Sequence, residues 1–334
     1  MDGSLAERGA NGEFSAVRDQ AFWPRILAGA ILLTLSVLVA SLLATTARVF
    51  WVGDLAVHFP VQYAGLSLIA FLLFIAARRP LWAALALALA AVNVMNAAPG
   101  LSTRPPVIPK SATDPVRVRV ASVNVFYRNH DYARVGAFIH DEHPDTVVLV
   151  EMTAEWRRAL ATVEAQFPFR YRTRGAGGRG VDLWSRLPMK DIAVLPLESA
   201  REPAIQATLM ASGHPLRLFA VHASWPLAPS SAARRNRQLV LLAQHARATK
   251  LPLVAVGDFN VSPYSPHFRQ LLADGNLRSA ADGFGWQPTW PMFLPPAGIQ
   301  IDHGLVSPAV AVQSFRRGSG NGSDHRPIVM DLVL

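Results

Sequence analysis

Near its C-terminus the chain runs Gly318-Ser319-Gly320-Asn321-Gly322-Ser323-Asp324-His325-Arg326-Pro327, an acid and an imidazole leaving a loop of small residues just before an apolar strand. Two other polar interruptions of apolar runs match it, Gly257-Asp258-Phe259-Asn260 and Ile301-Asp302-His303. A carboxylate and an imidazole at a strand mouth can hold and deprotonate a water. Three Asp-bearing strand ends in one domain form a constellation suited to metal-assisted phosphoester cleavage.

Within that chemistry His325 is the expected general base and Asp302 the carboxylate that holds its tautomer. Asp258 and Asn260, two residues apart, would orient a water and donate to a phosphoryl oxygen, although an Asx turn explains the same pair. Asp258 is the next candidate base. Glu151, closing Val147-Val148-Leu149-Val150, is the expected ligand for Mg2+ or Mn2+, which favour oxygen donors. Its competing role is to cap the helix that follows. Asn124 would supply a neutral group beside the metal and Asp324 a second ligand. His222, after Leu218-Phe219-Ala220-Val221, is expected at the scissile phosphate or leaving oxygen. His303 faces away from Asp302 and is expected to pack.

These side chains need strands to present them. Strands are expected at 116–124, 146–150, 181–185, 192–195, 204–210, 216–222, 253–256, 301–306, 310–315 and 327–333. Helices are expected at 132–143, 155–165, 230–249 and 266–273. Several strands follow one another with no helix between them. The fold class this implies is α/β, with two packed mixed sheets flanked by helices.

The first hundred residues have another character. The 51% hydrophobic content of the 334-residue chain is concentrated there. Apolar runs at 26–44, 61–77 and 81–98 lack an amphipathic period and predict three transmembrane helices. Arg8, Arg18 and Arg25 precede the first run and Arg78 with Arg79 follow the second. The positive-inside rule then puts residues 1–25 in the cytoplasm as a tail, and three spans carry the rest to the other side. A third run lying in the interface would leave the domain cytoplasmic. The first run is long for a signal peptide and lacks a nearby small-residue cleavage site, so it reads as an anchor. The expected organisation is a membrane domain at 26–98, a Pro-rich linker at 99–115 and a catalytic domain at 116–334. The absence of cysteine is compatible with an oxidising exterior.

The order Asn124, Glu151, Gly180-Val181-Asp182-Leu183-Trp184-Ser185-Arg186-Leu187-Pro188, His222 with Pro226, Gly257-Asp258-Phe259-Asn260, Ile301-Asp302-His303 and Ser323-Asp324-His325-Arg326-Pro327 resembles the endonuclease/exonuclease/phosphatase superfamily over about residues 116–334. The resemblance implies a four-layered α/β sandwich and a magnesium-type cofactor. By matching position it implies metal binding by Glu151 with help from Asn124 and Asp324, and phosphate contact by Asn260 and His222. It further implies water or leaving-group handling by Asp258, and an Asp302–His325 pair. Some relatives pair the histidine matching His222 with a carboxylate that has no evident counterpart here; Asp182, where relatives carry a small or apolar residue, is a candidate. The three-span leader resembles the membrane-anchored bacterial branch, which implies a multi-pass protein of the inner membrane; the arginine distribution above puts its catalytic domain outside the cytoplasm.

From residue 116 onward, 24 Lys and Arg stand against 17 Asp and Glu, a net charge of +7. Such a surface suits phosphorylated substrates and anionic headgroups. Two arginine groups, 170/172/174/179 and 234/235/237, are candidate contacts, with solubilising surface charge as their competing role. Nucleic acid would need stacking aromatics, for which Tyr171 and Trp225 are the candidates. Tethering at the membrane favours a lipid-linked phosphate or pyrophosphate. Nuclease activity and a silent phospholigand-binding sensor are the alternatives; the full complement of acids, amides and base argues for turnover. Protein partners are not indicated.

Overall fold

The computed structural model describes residues 6–101, 103, 116–175, 180–198 and 202–334. The expected linker from 104 to 115 and Arg179 lie outside the described residues.

The N-terminal part is helical: α1 (Ala6–Ala44), the short α2 (Trp51–Ala56), α3 (Pro60–Ala76) and α4 (Pro80–Ala97). Helix α1 thus takes in most of the expected tail. Two helical segments are long and apolar enough to cross a membrane, Trp23–Ala44 and Pro80–Ala97. The 17 residues of α3 rise about 25 Å, short of the roughly 30 Å hydrocarbon thickness. Pro60 fixes its start, and Arg78 at φ 54° with Pro80 ends it. Ala30, Ala70, Phe74, Ala83 and Ala86 pack α1, α3 and α4 together, while Leu32, Leu72, Leu81 and Met95 face outward.

Beyond residue 116 the elements are β1 (Arg117–Asn124), α5 (Tyr132–Glu142), β2 (Thr146–Met152), α6 (Ala154–Ala159), α7 (Ala161–Glu164), β3 (Phe169–Arg172), β4 (Gly180–Ser185), β5 (Met189–Leu195), β6 (Ala204–Ala211), β7 (His214–His222), α8 (Pro229–Ala248), β8 (Leu253–Asp258), α9 (Pro266–Gly275), β9 (Arg278–Ser279), β10 (Asp302–Val306), β11 (Ala311–Arg317) and β12 (Ile328–Val333). They form two six-stranded sheets, ordered β11-β12-β1-β2-β4-β3 and β5-β6-β7-β8-β10-β9. Each sheet has one parallel pair, β1 with β2 and β7 with β8. In each pair the crossover carries a helix, α5 or α8, as parallel neighbours require.

Alternation along the central strands builds the layers. Val118, Val120, Val148, Val150, Leu218, Ala220, Val254 and Val256 fill the space between the sheets. On the outer face of the first sheet Ala121, Val123, Val147 and Leu149 meet Phe138, Ile139 and Trp156. On the outer face of the second, Phe219, Val221 and Ala255 meet Leu239, Leu242 and Phe268. Two mixed sheets flanked by helices are therefore present, as the sequence predicts.

Three local differences have physical causes. Strand β2 does not stop at Glu151 but continues to Met152, with Glu151 at a bulge and φ 63°. The helix expected at 155–165 breaks at Leu160 into two short pieces. Strand β3, in which the aromatics Phe169 and Tyr171 alternate with Arg170 and Arg172, was not expected; it pairs with β4 at the sheet edge, where charged side chains are tolerated.

Candidate active site

The expected residues converge on one edge of the sandwich. From the first sheet come Asn124 at the end of β1, Glu151 on the β2 bulge, and the Ser323-Asp324-His325 loop before β12. From the second come His222 at the end of β7, Asp258 at the end of β8 and Asp302 at the start of β10; Asp258 is register partner to both of its neighbours. Gly257 makes the central strand end feasible. Its φ is 144°, and a Cβ there would fall 1.9 Å from the Val221 carbonyl.

Asp258 is 2% exposed and divides its oxygens. Oδ1 accepts the Asn260 backbone N–H at 2.9 Å, an Asx turn that leaves Asn260 at φ 50°. Oδ2 accepts from Asn124 Nδ2 at 3.1 Å and faces His325 Nε2 at 3.9 Å. Asn260 is tied further, its Nδ2 donating to the Ala223 carbonyl at 2.9 Å and its own carbonyl accepting from Arg235 Nη1 at 2.5 Å. Burial and the neighbouring Asp302 charge push the Asp258 carboxyl up to about 7.

His325 Nδ1 lies 2.9 Å from Asp302 Oδ2, the expected pair. The loop is fixed around it: the His325 N–H donates to Ser323 Oγ, whose hydroxyl donates to the Asn124 carbonyl at 2.8 Å. Burial alone would lower the imidazole pKa. The charge and hydrogen bond of Asp302, with Asp258 and Asp324 beyond, outweigh burial and raise it to about 10.

On the first-sheet side Glu151 Oε2 accepts the Tyr127 N–H at 3.0 Å, and Oε1 lies 3.9 Å from His222 Nε2. Asp324 Oδ2 accepts from Trp290 Nε1 at 3.1 Å, while its Oδ1 is buried with no protein partner. Burial, aided by the Glu151 charge, raises the Asp324 carboxyl. Among the described residues no Lys or Arg forms an ion pair with Glu151, Asp258, Asp302 or Asp324. Three carboxylates around the His325 imidazole and a fourth, Glu151, against His222, with a buried oxygen of Asp324 unmatched, suit a hard divalent cation. A second grouping is also geometrically open: Asp258, Asp302 and His325 each place one ligand atom within 4.8 Å of the others.

Several expectations change. Asp182 is not available to His222, because Arg157 bonds both of its oxygens, at 2.7 and 3.0 Å. The arginines expected at a phosphate are largely engaged elsewhere: Arg172 with Glu164, Arg234 with Glu202, Arg237 with Glu198, and fully buried Arg235 with Asp54. Tyr171 packs against the inter-sheet core rather than offering a stacking face, whereas Trp225 is 60% exposed. His303 packs as expected, buried between Phe259 and Phe268 with Nε2 2.8 Å from the Val261 carbonyl, and burial lowers its pKa to about 4.

Asp54, His58, Gln62 and Trp290 were not singled out from sequence. Asp54 accepts from both Arg235 and Ser265, and His58 Nδ1 lies 2.8 Å from Ser262 Oγ. Gln62 Nε2 donates to the Gly298 carbonyl at 2.8 Å. One signal was available: Asp54 is the sole acid between Arg25 and Asp114, in an otherwise apolar stretch.

Solved structures share this arrangement of sheets and helices. A humanized D. rerio TDP2 carrying 14 mutations superposes with a TM-score of 0.55 at 16% identity, covering 65% of this chain and 99% of that one. An endonuclease/exonuclease/phosphatase from Beutenbergia cavernae gives 0.53 at 23% identity, over 65% and 72%. A family protein from Bacteroides thetaiotaomicron gives 0.56 at 16%, over 66% and 99%. At these identities the likeness is one of fold. No curated protein matches the chain. The family model described as "Endonuclease/Exonuclease/phosphatase family" matches residues 121–325. That span covers more than half of the chain and runs from β1 through His325, so the protein belongs to the endonuclease/exonuclease/phosphatase family.

Proposed function

We propose that this protein is a membrane-anchored, divalent-metal-dependent phosphoesterase that hydrolyses a lipid-linked phosphoester or pyrophosphate. One observation supports the lipid link above others. The segment from Trp290 to Gly298 bonds Asp324 in the site at one end and Gln62 of α3 at the other. Between them Phe293 and Leu294 are exposed, at 75% and 49%. Exposed apolar side chains beside a polar site suit a substrate with a phosphorylated head and a hydrocarbon tail. Here α1, α3 and α4 are read as three spans, with the catalytic domain outside the cytoplasm.

Glu151 and Asp324, with Asn124, would hold Mg2+ or Mn2+; Asp302 and His325 bind each other instead. A cation held there would polarise a phosphoryl oxygen and offset the carboxylate charge that otherwise keeps His325 protonated. His325 then accepts the proton of the attacking water through Nε2, while Asp302 on Nδ1 fixes the tautomer. Asp258 orients that water through Oδ2. Asn260 and His222 contact the phosphoryl and leaving oxygens. This reading draws only on side chains from neighbouring strand ends and needs no arginine from the engaged groups.

The test compares an isoprenoid pyrophosphate, bis(p-nitrophenyl) phosphate and single-stranded DNA, using the full chain in detergent with Mg2+, Mn2+ or EDTA. Metal-dependent turnover fastest on the lipid pyrophosphate is the expected result. Fastest cleavage of DNA would replace this reading with a nuclease; one solved relative, D. rerio TDP2, is complexed with a single-strand DNA product. Binding without turnover on any of the three would make the domain a sensor.

A further inference from the structure

The segment joining α1 to α3 does more than connect two helices. Helix α2 is pressed against the end of α1: a Cβ on Gly53 would fall 2.5 Å from the Leu43 carbonyl, so only glycine allows the approach. Seated there, Asp54 is 1% exposed and meets Arg235 of α8, which is 0% exposed. Arg235 in turn donates to the carbonyl of Asn260. Asp54 Oδ1 also accepts from Ser265 Oγ at 3.0 Å, at the far end of the same loop. His58, buried and held neutral by a burial-lowered pKa of about 4, adds a 2.8 Å contact to Ser262. The stretch from Asp258 to Ser265 is thus gripped from behind at Ser262 and Ser265 directly, and at Asn260 through Arg235, by two residues that precede it by about two hundred positions in sequence.

The bracing matters because Asn260 is a non-glycine residue in the left-handed region, a conformation that Asn tolerates but that the contacts to its carbonyl and side chain hold in one place here. Its backbone N–H holds Asp258 Oδ1, and so sets how Oδ2 faces Asn124 and His325. Without Asp54 the buried Arg235 charge has no counter-ion, and the guanidinium that carries the Asn260 carbonyl has no reason to stay in place.

We propose that Asp54 and His58 of the membrane-proximal segment are positioning residues for the Asp258–Asn260 loop, so that the active site of the catalytic domain is completed by the membrane part of its own chain. The functional readout rests on the phosphoesterase reading above; the structural one does not.

The decisive variant is the full chain with Asp54→Leu and Arg235→Met together, which removes the pair without leaving a buried charge. In detergent with Mn2+ it should unfold near the wild-type temperature. Its kcat on bis(p-nitrophenyl) phosphate should fall about ten- to a hundredfold with little change in KM, as expected when a reacting group is misplaced. Amide hydrogen exchange at residues 259–262 should accelerate by about tenfold or more, reporting local opening of the loop. Arg235→Lys, which keeps the charge pair but loses the forked contact, should show the same split and decides the matter should the double variant fail to fold. Wild-type kcat and wild-type exchange in a folded variant would overturn the proposal. If the wild-type chain itself does not turn over this diester, the phosphoesterase reading is in question, and exchange at 259–262 alone decides the bracing.

Discussion

Asp302 opens β10 of the second sheet and His325 lies in the loop that leads into β12 of the first, so the 2.9 Å contact between them bridges the two layers where the site lies. Because the pair acts as one unit, His325→Ala should lower turnover by about two to four orders of magnitude with little effect on substrate affinity. Asp302→Asn should be severely impaired as well, by admitting the wrong tautomer. The double variant should be scarcely worse than His325→Ala alone. Multiplicative losses in steady-state kinetics would make the pair structural and shift the base to Asp258.

Glu151 holds the Tyr127 N–H with one oxygen and turns the other toward His222. Replacing it with Gln keeps the volume and removes a negative ligand. Apparent metal affinity should drop by at least the roughly ten- to a hundredfold seen when outer supports of a metal site are lost, and turnover should collapse at fixed Mg2+. A titration of activity against metal concentration that superimposes on wild type would remove Glu151 from the metal site.

The pH dependence of stability follows from two raised groups. Asp258 binds its proton more tightly folded than unfolded, so its contribution declines as pH rises from 3.8 through about 7. His325 behaves alike over a higher window, its contribution being complete below 6.5 and lost as pH rises through about 10. In EDTA both act in the same direction, toward a less stable protein in alkali. A bound cation opposes this by neutralising the deprotonated carboxylates, so the rise in Tm on adding Mn2+ should grow from pH 5 to pH 9. Calorimetry in detergent measures the increment; one independent of pH would place the cation away from Asp258 and His325.

The docking of α2 also constrains topology. On the membrane-spanning reading, Val49, 91% exposed in the segment before α2, and Ser212 in the exposed turn between β6 and β7 would share one side of the membrane. Cysteine at either position should react with an impermeant thiol reagent in intact spheroplasts, and to a similar extent. Labelling of one but not the other would contradict the docking; labelling of both only after lysis would reverse the orientation.

Much of the catalytic domain was legible because it obeys short-range rules. Apolar runs broken by Asn124, Asp258 and His222 read as strand ends, and Asp302 and His325 were legible because β10 starts at Asp302 and β12 resumes the apolar pattern three residues after His325. The bulge at Glu151 was not readable, since a left-handed Glu carries no local mark. Arg235 was misread for a related reason. Its helix looks like a basic, solvent-facing one, and only a lone acid 181 positions earlier turns that charge inward. Long-range pairings leave no period in the sequence. The same holds for Trp290, whose indole reaches Asp324 from a loop without regular structure.

Proteolytic shedding is the standard way to turn a tethered ectodomain into a free one, by cutting the stalk that joins it to its anchor. Here a cut between residues 104 and 115 would sever the polypeptide without parting its two halves. The Asp54–Arg235 pair, the His58–Ser262 contact and the Gln62–Gly298 bond would still hold them together. On the membrane-anchored reading proposed above, a nicked molecule would still fractionate with the membrane. A domain parted from the N-terminal helices would carry Arg235 without its counter-ion, so on the proposed bracing its release would come with a loss of turnover.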